Sequence, residues 1–200
     1  MTAHSAPPAG HDPHRALLVA SRIAAELRPG QTLLCCGLGH HDGVGPASLA
    51  LARALADLTA WKVLLVEAQG AEPAMAEMPT GPGFSDLVGG VGLQDEMLGA
   101  GGAPRVQLLG SGTRREVIHA SAMLAVEAPG VLAALRGVAD VVVLLGAPIR
   151  TAPATASLAR HADATVLFTH QGQDRRDDLA RAVGDFSAAG SRLLGTVILT

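Results

Sequence analysis

Apolar positions along the chain fall into two alternating patterns. Over residues 15–28 Leu17, Ala20, Ala24 and Leu27 recur at helical spacing until Pro29 and Gly30 stop the run, which predicts a helix ahead of the first strand. Short continuous apolar runs follow at 32–36, 62–66, Val106–Leu109, Val141–Leu145, 165–169 and 197–199, each the length of a strand. Val141–Leu145 is all valine and leucine, as a strand covered on both faces requires. Helical patterns lie between them: 46–59 with Pro46 at its first position, 115–126 and 131–138 separated by Pro129 and Gly130, and 155–161. A last one, 174–189, has Leu179, Val183 and Phe186 inward and Asp174 as its cap. Strands separated by helices predict an α/β fold: a doubly wound, mostly parallel sheet of about six to seven strands with helices on both faces. Residues 1–14 show no period and read as a flexible N-terminal arm, leaving 15–200 as a single domain.

Composition narrows the function classes. Of the 200 residues, 48% are apolar and 16% charged, enough to build a core, and the net charge of -3 without a basic tract argues against nucleic acid as a partner. The apolar runs end well short of the ~20 residues of a membrane span, and the N-terminus has no signal-peptide pattern, so the cytoplasm is the expected compartment. The two cysteines, Cys35 and Cys36, are adjacent on a predicted strand and should point to opposite faces, which suits neither a disulfide framework nor a zinc site.

The segment with most chemistry to offer is the glycine-rich loop Gly37-Leu-Gly-His-His-Asp-Gly-Val-Gly-Pro46, placed after the first strand, where such sheets bind ligands. A phosphate loop needs glycines for converging backbone N–H groups, a lysine for the terminal phosphates and a hydroxyl for magnesium. Gly39 and Gly43 fit. Val44 has no charge, Gly45 no hydroxyl, and Pro46 lacks the N–H that would help hold an anion at a helix start. The same glycines, with Glu67 22 residues after Gly45, also match the cofactor loop of an NAD(P)-binding short-chain dehydrogenase, Glu67 taking a ribose hydroxyl. Such enzymes need a catalytic tyrosine, and the chain contains none. His40-His41-Asp42 offers no third ligand for a metal and reads as polar loop; Glu67 reads as a solvated strand end. Arg114-Arg115 and Arg175-Arg176 stand near predicted helix starts, where cations gain nothing from the dipole, and read as exposed helix surface.

Six segments in order carry a resemblance. They are Gly83-Phe-Ser-Asp-Leu-Val-Gly-Gly, Leu93-Gln-Asp-Glu-Met, Val106-Gln-Leu-Leu-Gly-Ser-Gly, Ala139-Asp-Val-Val-Val-Leu-Leu-Gly-Ala-Pro148, Leu158-Ala-Arg-His-Ala-Asp-Ala-Thr-Val-Leu-Phe, and Ala188-Ala-Gly-Ser-Arg-Leu-Leu-Gly-Thr-Val-Ile-Leu. Together they resemble the ATPase domain of the bacterial tyrosine kinases that accompany polysaccharide co-polymerases, relatives of the ParA and MinD ATPases, over roughly residues 12–199. The resemblance implies a P-loop NTPase-like fold. It places the Walker lysine at Val44, the Ser/Thr pair at Gly45 and Pro46, the aspartates of the second motif at Glu67 and Gln69, the Walker B aspartate at Leu145 and the base-contacting asparagine at Thr200.

With those charges lost, nearly every contribution that lowers a phosphoryl-transfer barrier is lost too. The expectation is a non-catalytic, pseudokinase-like regulatory or scaffolding subunit of exopolysaccharide biosynthesis and export, with no catalytic residue, no cofactor and no metal. Its expected partner is a membrane polysaccharide co-polymerase or a kinase paralogue, which would hold it at the inner membrane. The family's ring-forming helix motif, an acid and two arginines spaced by three, falls on Asp12, Arg15 and Leu18, so these are the interaction candidates, self-association included. Leu18 has a second reading, as a residue packed on its own sheet. An ATPase with an atypical loop stays open beside the dinucleotide binder.

Overall fold

The computed structural model describes residues 13–39, 43–69, 74–119 and 121–200, and of residues 13, 115, 119 and 121 the backbone alone. The elements run α1 (Pro13–Glu26), β1 (Gln31–Gly37), α2 (Val44–Thr59), β2 (Val63–Glu67), α3 (Phe84–Val88), β3 (Leu98–Ala100), β4 (Val106–Leu109), α4 (Arg115–His119), α5 (Ser121–Arg136), β5 (Val141–Leu145), α6 (Pro153–Ala159), β6 (Ala164–His170), α7 (Arg176–Ala188) and β7 (Leu193–Leu199). The sheet order is β3-β4-β2-β5-β1-β6-β7, parallel throughout except for β3, which runs antiparallel on β4. This is the doubly wound α/β fold expected, with one more strand than the apolar runs predict. β3 is only Leu-Gly-Ala and has no pattern of its own; pairing with β4 makes it a strand.

The inner strands β1, β2 and β5 are buried on both faces. Leu33, Cys35, Leu65, Val143 and Leu145 join α1 and α2 on one side, whereas Leu34, Cys36, Leu64, Val66 and Leu144 face α3, α5, α6 and α7 on the other. The paired cysteines are thus divided between two cores. Burial pushes the Cys35 thiol up to about 12, an effect its hydrogen bond to Ser48 only reduces, and raises Cys36 as well. Both thiols are inert at neutral pH.

Three expectations about helices are corrected. Residues 121–136 form one helix through Pro129, not two helices divided there. Leu124, Ala128, Leu132 and Leu135 lie buried along one stripe while Ala125 and Pro129 are exposed, so water can reach the Ala125 carbonyl, which proline, having no N–H, leaves without its helical donor. On α7 Ala182 and Phe186 are buried and Val183 is 42% exposed, so Val183 faces out. Asp174 does not cap α7: its Oδ2 accepts from the His170 N–H at 2.7 Å, and Arg175 occupies the N-cap without a side-chain bond.

At the carboxyl end of β4, a buried aspartate fastens α3 to the next turn. Asp86 Oδ2 accepts from the N–H groups of Gly83 (2.9 Å) and Thr113 (2.8 Å), and Oδ1 from the Thr113 hydroxyl (2.6 Å). Gly112, at φ +94°, leaves room for this, because a Cβ there would sit 2.4 Å from both Asp86 Oδ2 and Ser85 Oγ. Burial alone would raise the carboxyl pKa, but the bonds from Thr113 and Gly83, with Arg114 nearby, outweigh it and hold the group below its ordinary value.

A depressed carboxylate stabilises the fold above the unfolded pKa of about 4 and loses that contribution as pH falls through the lower native value. Asp86→Asn should therefore cost about 1–3 kcal/mol at pH 7 by leaving donors unmatched. The gap between variant and wild type in thermal unfolding should close as the pH is taken below about 4. A gap unchanged with pH would mean that the carboxylate is not what locks this turn.

Candidate functional site

The glycine loop is anchored at its start by its neighbours in the sheet. The Gly37 carbonyl accepts from Ile149 N–H at 3.0 Å, and Leu38 N–H donates to the Phe168 carbonyl at 2.8 Å. A Cβ on Gly37 would lie 2.6 Å from the Gly39 carbonyl oxygen, so the turn admits only glycine. His40, His41 and Asp42 lie outside the described residues. α2 begins at Val44, two residues before the predicted start, with Gly43 as its N-cap and no side-chain cap. Pro46 falls in the first turn, where its missing N–H costs no intrahelical bond.

The positions that chemistry would need are buried or covered. Val44 is 6% exposed and packs in the same core as Cys35 and Leu145. A direction built from Gly45 toward a Cβ meets Ala74 Cβ at 2.8 Å, the Ala74 carbonyl oxygen at 2.9 Å and Met75 Cγ at 3.1 Å. The hydroxyl nearest this helix start, Ser48 Oγ, is fully buried and donates to the Val44 carbonyl at 2.8 Å. Leu145, 1% exposed, lies between Cys35 on β1 and Glu67 on β2, and its carbonyl accepts from the Ala68 N–H at 2.9 Å.

Glu67 is where the sequence reading fails. It is 1% exposed, not a solvated strand end. Its Oε1 accepts from the Ala74 N–H at 2.5 Å and from Gln69 Nε2 at 3.1 Å. A buried carboxylate must be bonded or lose heavily to desolvation, and this one uses its bonds to hold the returning chain over the start of α2. An oxygen so engaged is committed to the protein and not to a ribose hydroxyl. The acid was visible in the sequence; its partner, a backbone N–H seven residues on, carries no signal.

The remaining candidates are scattered. Thr200 lines a groove of about 270 Å³ with Arg15, Ala16, Ala47, Phe168 and Leu199. Asp12 lies outside the described residues. Arg15 is exposed, and Leu18 is 68% exposed, so the reading that packs Leu18 on its own sheet is corrected: Ala20, Ile23 and Leu27 fill that role. Arg175 and Arg176 are exposed. Arg114 is half exposed, 4.0 Å from Asp86. Among the described residues no group of three His, Cys, Asp or Glu side chains could hold a metal ion, and no helix is long and apolar enough to cross a membrane.

A parallel sheet of this order, with a glycine turn leading from its central strand β1 into a helix, defines a P-loop NTPase-like fold. Solved structures agree. The kinase domain of VpsO superposes with a TM-score of 0.75 at 20% identity, covering 93% of this chain and 96% of that one. The kinase domain of the Escherichia coli tyrosine kinase ETK gives 0.76 at 14% identity over 100% and 84%. A ParA family ATPase from Chlorobium tepidum gives 0.62 at 15% over 84% and 73%. The chain has the fold shared by bacterial tyrosine kinase domains and ParA-type ATPases. No sequence-family profile and no curated protein sequence matches it.

Placing a lysine or a hydroxyl at the start of α2 should destabilise the fold. Gly45→Ser pushes a Cβ into the Ala74 backbone, and Val44→Lys buries an unpaired ammonium, so each should destabilise by about 2 kcal/mol or more. For a chain of this size that is a fall in Tm of about 4 °C or more, with ATP hydrolysis at background. A Val44→Lys variant with wild-type Tm and measurable turnover would mean that the lysine position is open to solvent.

Proposed function

We propose that this chain is a non-catalytic, pseudokinase-like subunit that regulates or scaffolds the synthesis and export of an exopolysaccharide through protein contacts. The observation that carries the reading is the seat of Ala74 and Met75 on Gly45, the place where a nucleotide-binding relative would set a hydroxyl and magnesium. With Val44 and Leu145 in the core, no cationic side chain among the described residues of the loop and the first turn of α2 balances the charge of a triphosphate. The polysaccharide context rests on likeness of fold to tyrosine kinase domains such as those of VpsO and ETK and on the segment order.

The partner in this reading is a membrane polysaccharide co-polymerase or a kinase paralogue, and the contact is made by α1. Leu17 and Leu18 are exposed side by side there at 39% and 68%, beside exposed Arg15. Single exposed leucines are ordinary; in this reading an adjacent pair beside a cation, on the helix where the resemblance puts the subunit-contact motif at Asp12, Arg15 and Leu18, forms the contact surface.

Two measurements test it. Titration calorimetry with ATP and magnesium should show no saturable binding; micromolar affinity that vanishes on chelation would replace this reading with an ATPase using an atypical loop. In co-purification with the co-polymerase or the paralogue, Arg15→Glu with Leu18→Glu should abolish capture while Tm stays within a few degrees, since both side chains are on the surface. A folded double variant that is still captured places the contact elsewhere.

A further inference from the structure

On the face of the sheet that carries α1 and α2, the strip over β7 has a wall on one side and no cover among the described residues. α2 lies over β1, β2 and β5, and α1 packs chiefly on α2, so α1 borders β7 along one side only. The groove of about 270 Å³ at Thr200 and a second one of about 430 Å³ share Val19 and Val197, and together they form one trough along α1. The lining residues of α1 run from Arg15 to Glu26, which makes the trough about 17 Å long. Its floor is apolar: Leu194 and Val197 are half buried beside buried Val166 and Phe168 of β6.

The wall is basic. Arg15 and Arg22 line the trough, and exposed Leu18 falls between them on the same stripe of α1, three residues from one and four from the other. Arg22 makes no ion pair and no hydrogen bond among the described residues. The one acid in the lining, Glu26, is already matched: its Oε2 lies 3.2 Å from Arg192 NH1, and its carbonyl accepts from Arg192 NH2 at 2.9 Å. The wall is therefore positive in a chain whose net charge is -3.

We infer that this trough seats an acidic amphipathic helix of the partner chain, laid alongside α1 as a third helix of that layer. The inference rests on the reading of α1 as the contact helix and names the chemistry that meets it. The floor asks for an apolar stripe, and a helix continues a layer that is already helical. At the spacing of packed helices its flank lies against the α1 wall and covers Arg22. Covering a guanidinium without a counter-charge is costly, so the flank must bring carboxylates. Arg15 and Arg22 lie about 10.5 Å apart along α1, two helical turns, so the matching acids stand seven residues apart with an apolar residue between them for Leu18. An anionic bilayer matches the charge, but a flat surface resting on α1 leaves Leu194 and Val197 behind the wall uncovered.

The test uses the full chain and a fluorescent synthetic helical peptide that carries a leucine stripe and, on its flank, two glutamates seven residues apart. A second peptide has lysines in place of those glutamates. By anisotropy the glutamate peptide should bind saturably and more weakly as salt is raised, and the lysine peptide should bind about fivefold or more weaker. Arg22→Glu should reverse that preference. Ala25→Trp, which sets an indole into the trough from an exposed position, should remove binding without lowering Tm. Equal binding of the two peptides, a preference that Arg22→Glu leaves unchanged, or no binding of either would overturn the inference, and binding to phosphatidylglycerol vesicles with neither peptide bound would replace it with a membrane surface. Should Ala25→Trp fail to fold, the charge reversal decides it alone. Capture of the co-polymerase or the paralogue that still depends on Arg15 and Leu18, while the glutamate peptide fails, removes the helix in the trough and leaves α1 as the contact. Capture indifferent to Arg15 and Leu18 removes α1 itself.

Discussion

The start of α2, at the carboxyl end of β1, depends on one close approach, that of Ala74 to Gly45. A glycine at the second residue of α2 lets the chain returning from β2 lie directly on the helix start, at a distance no Cβ would allow. Glu67 holds the arrangement in place through the Ala74 N–H, and it can do so buried because its carboxylate is met by hydrogen bonds. The helix start that in a nucleotide-binding relative would face an anion here faces the protein's own backbone. Val44 and Leu145 lie together in the apolar core beneath it.

Much of this was legible before any coordinates. Val141–Leu145 announces a strand covered on both faces, and β5 is the buried neighbour of both β1 and β2. Adjacent cysteines on a strand must part to opposite cores, and they do. What was not legible depends on contacts distant in sequence. β3 exists because β4 offers it an edge, and α5 survives Pro129 because the carbonyl it strands faces water. Val183 and Ala182 are both small and apolar, so periodicity alone cannot say which one faces the sheet.

The site divides the same way. Absence is easy to read: a valine has no ammonium and a glycine no hydroxyl wherever they lie. The use to which Glu67 has been put is not, since its partner is a main-chain N–H in a segment without pattern. Leu18 shows the converse, because its spacing suits either core or surface and only the packing of Ala20, Ile23 and Leu27 leaves it outside. The result is a P-loop-like frame whose helix start is packed by Ala74 and Met75, with Val44 and Leu145 in the core and exposed apolar side chains on α1.

The claim that the helix start is filled from within is tested most directly by amide hydrogen exchange at Ala74, with and without ATP and magnesium. The account predicts slow exchange, because the N–H is donated to a buried carboxylate, and no change on adding nucleotide. Exchange at the rate of an open loop, or protection that appears only with nucleotide and magnesium, would contradict it.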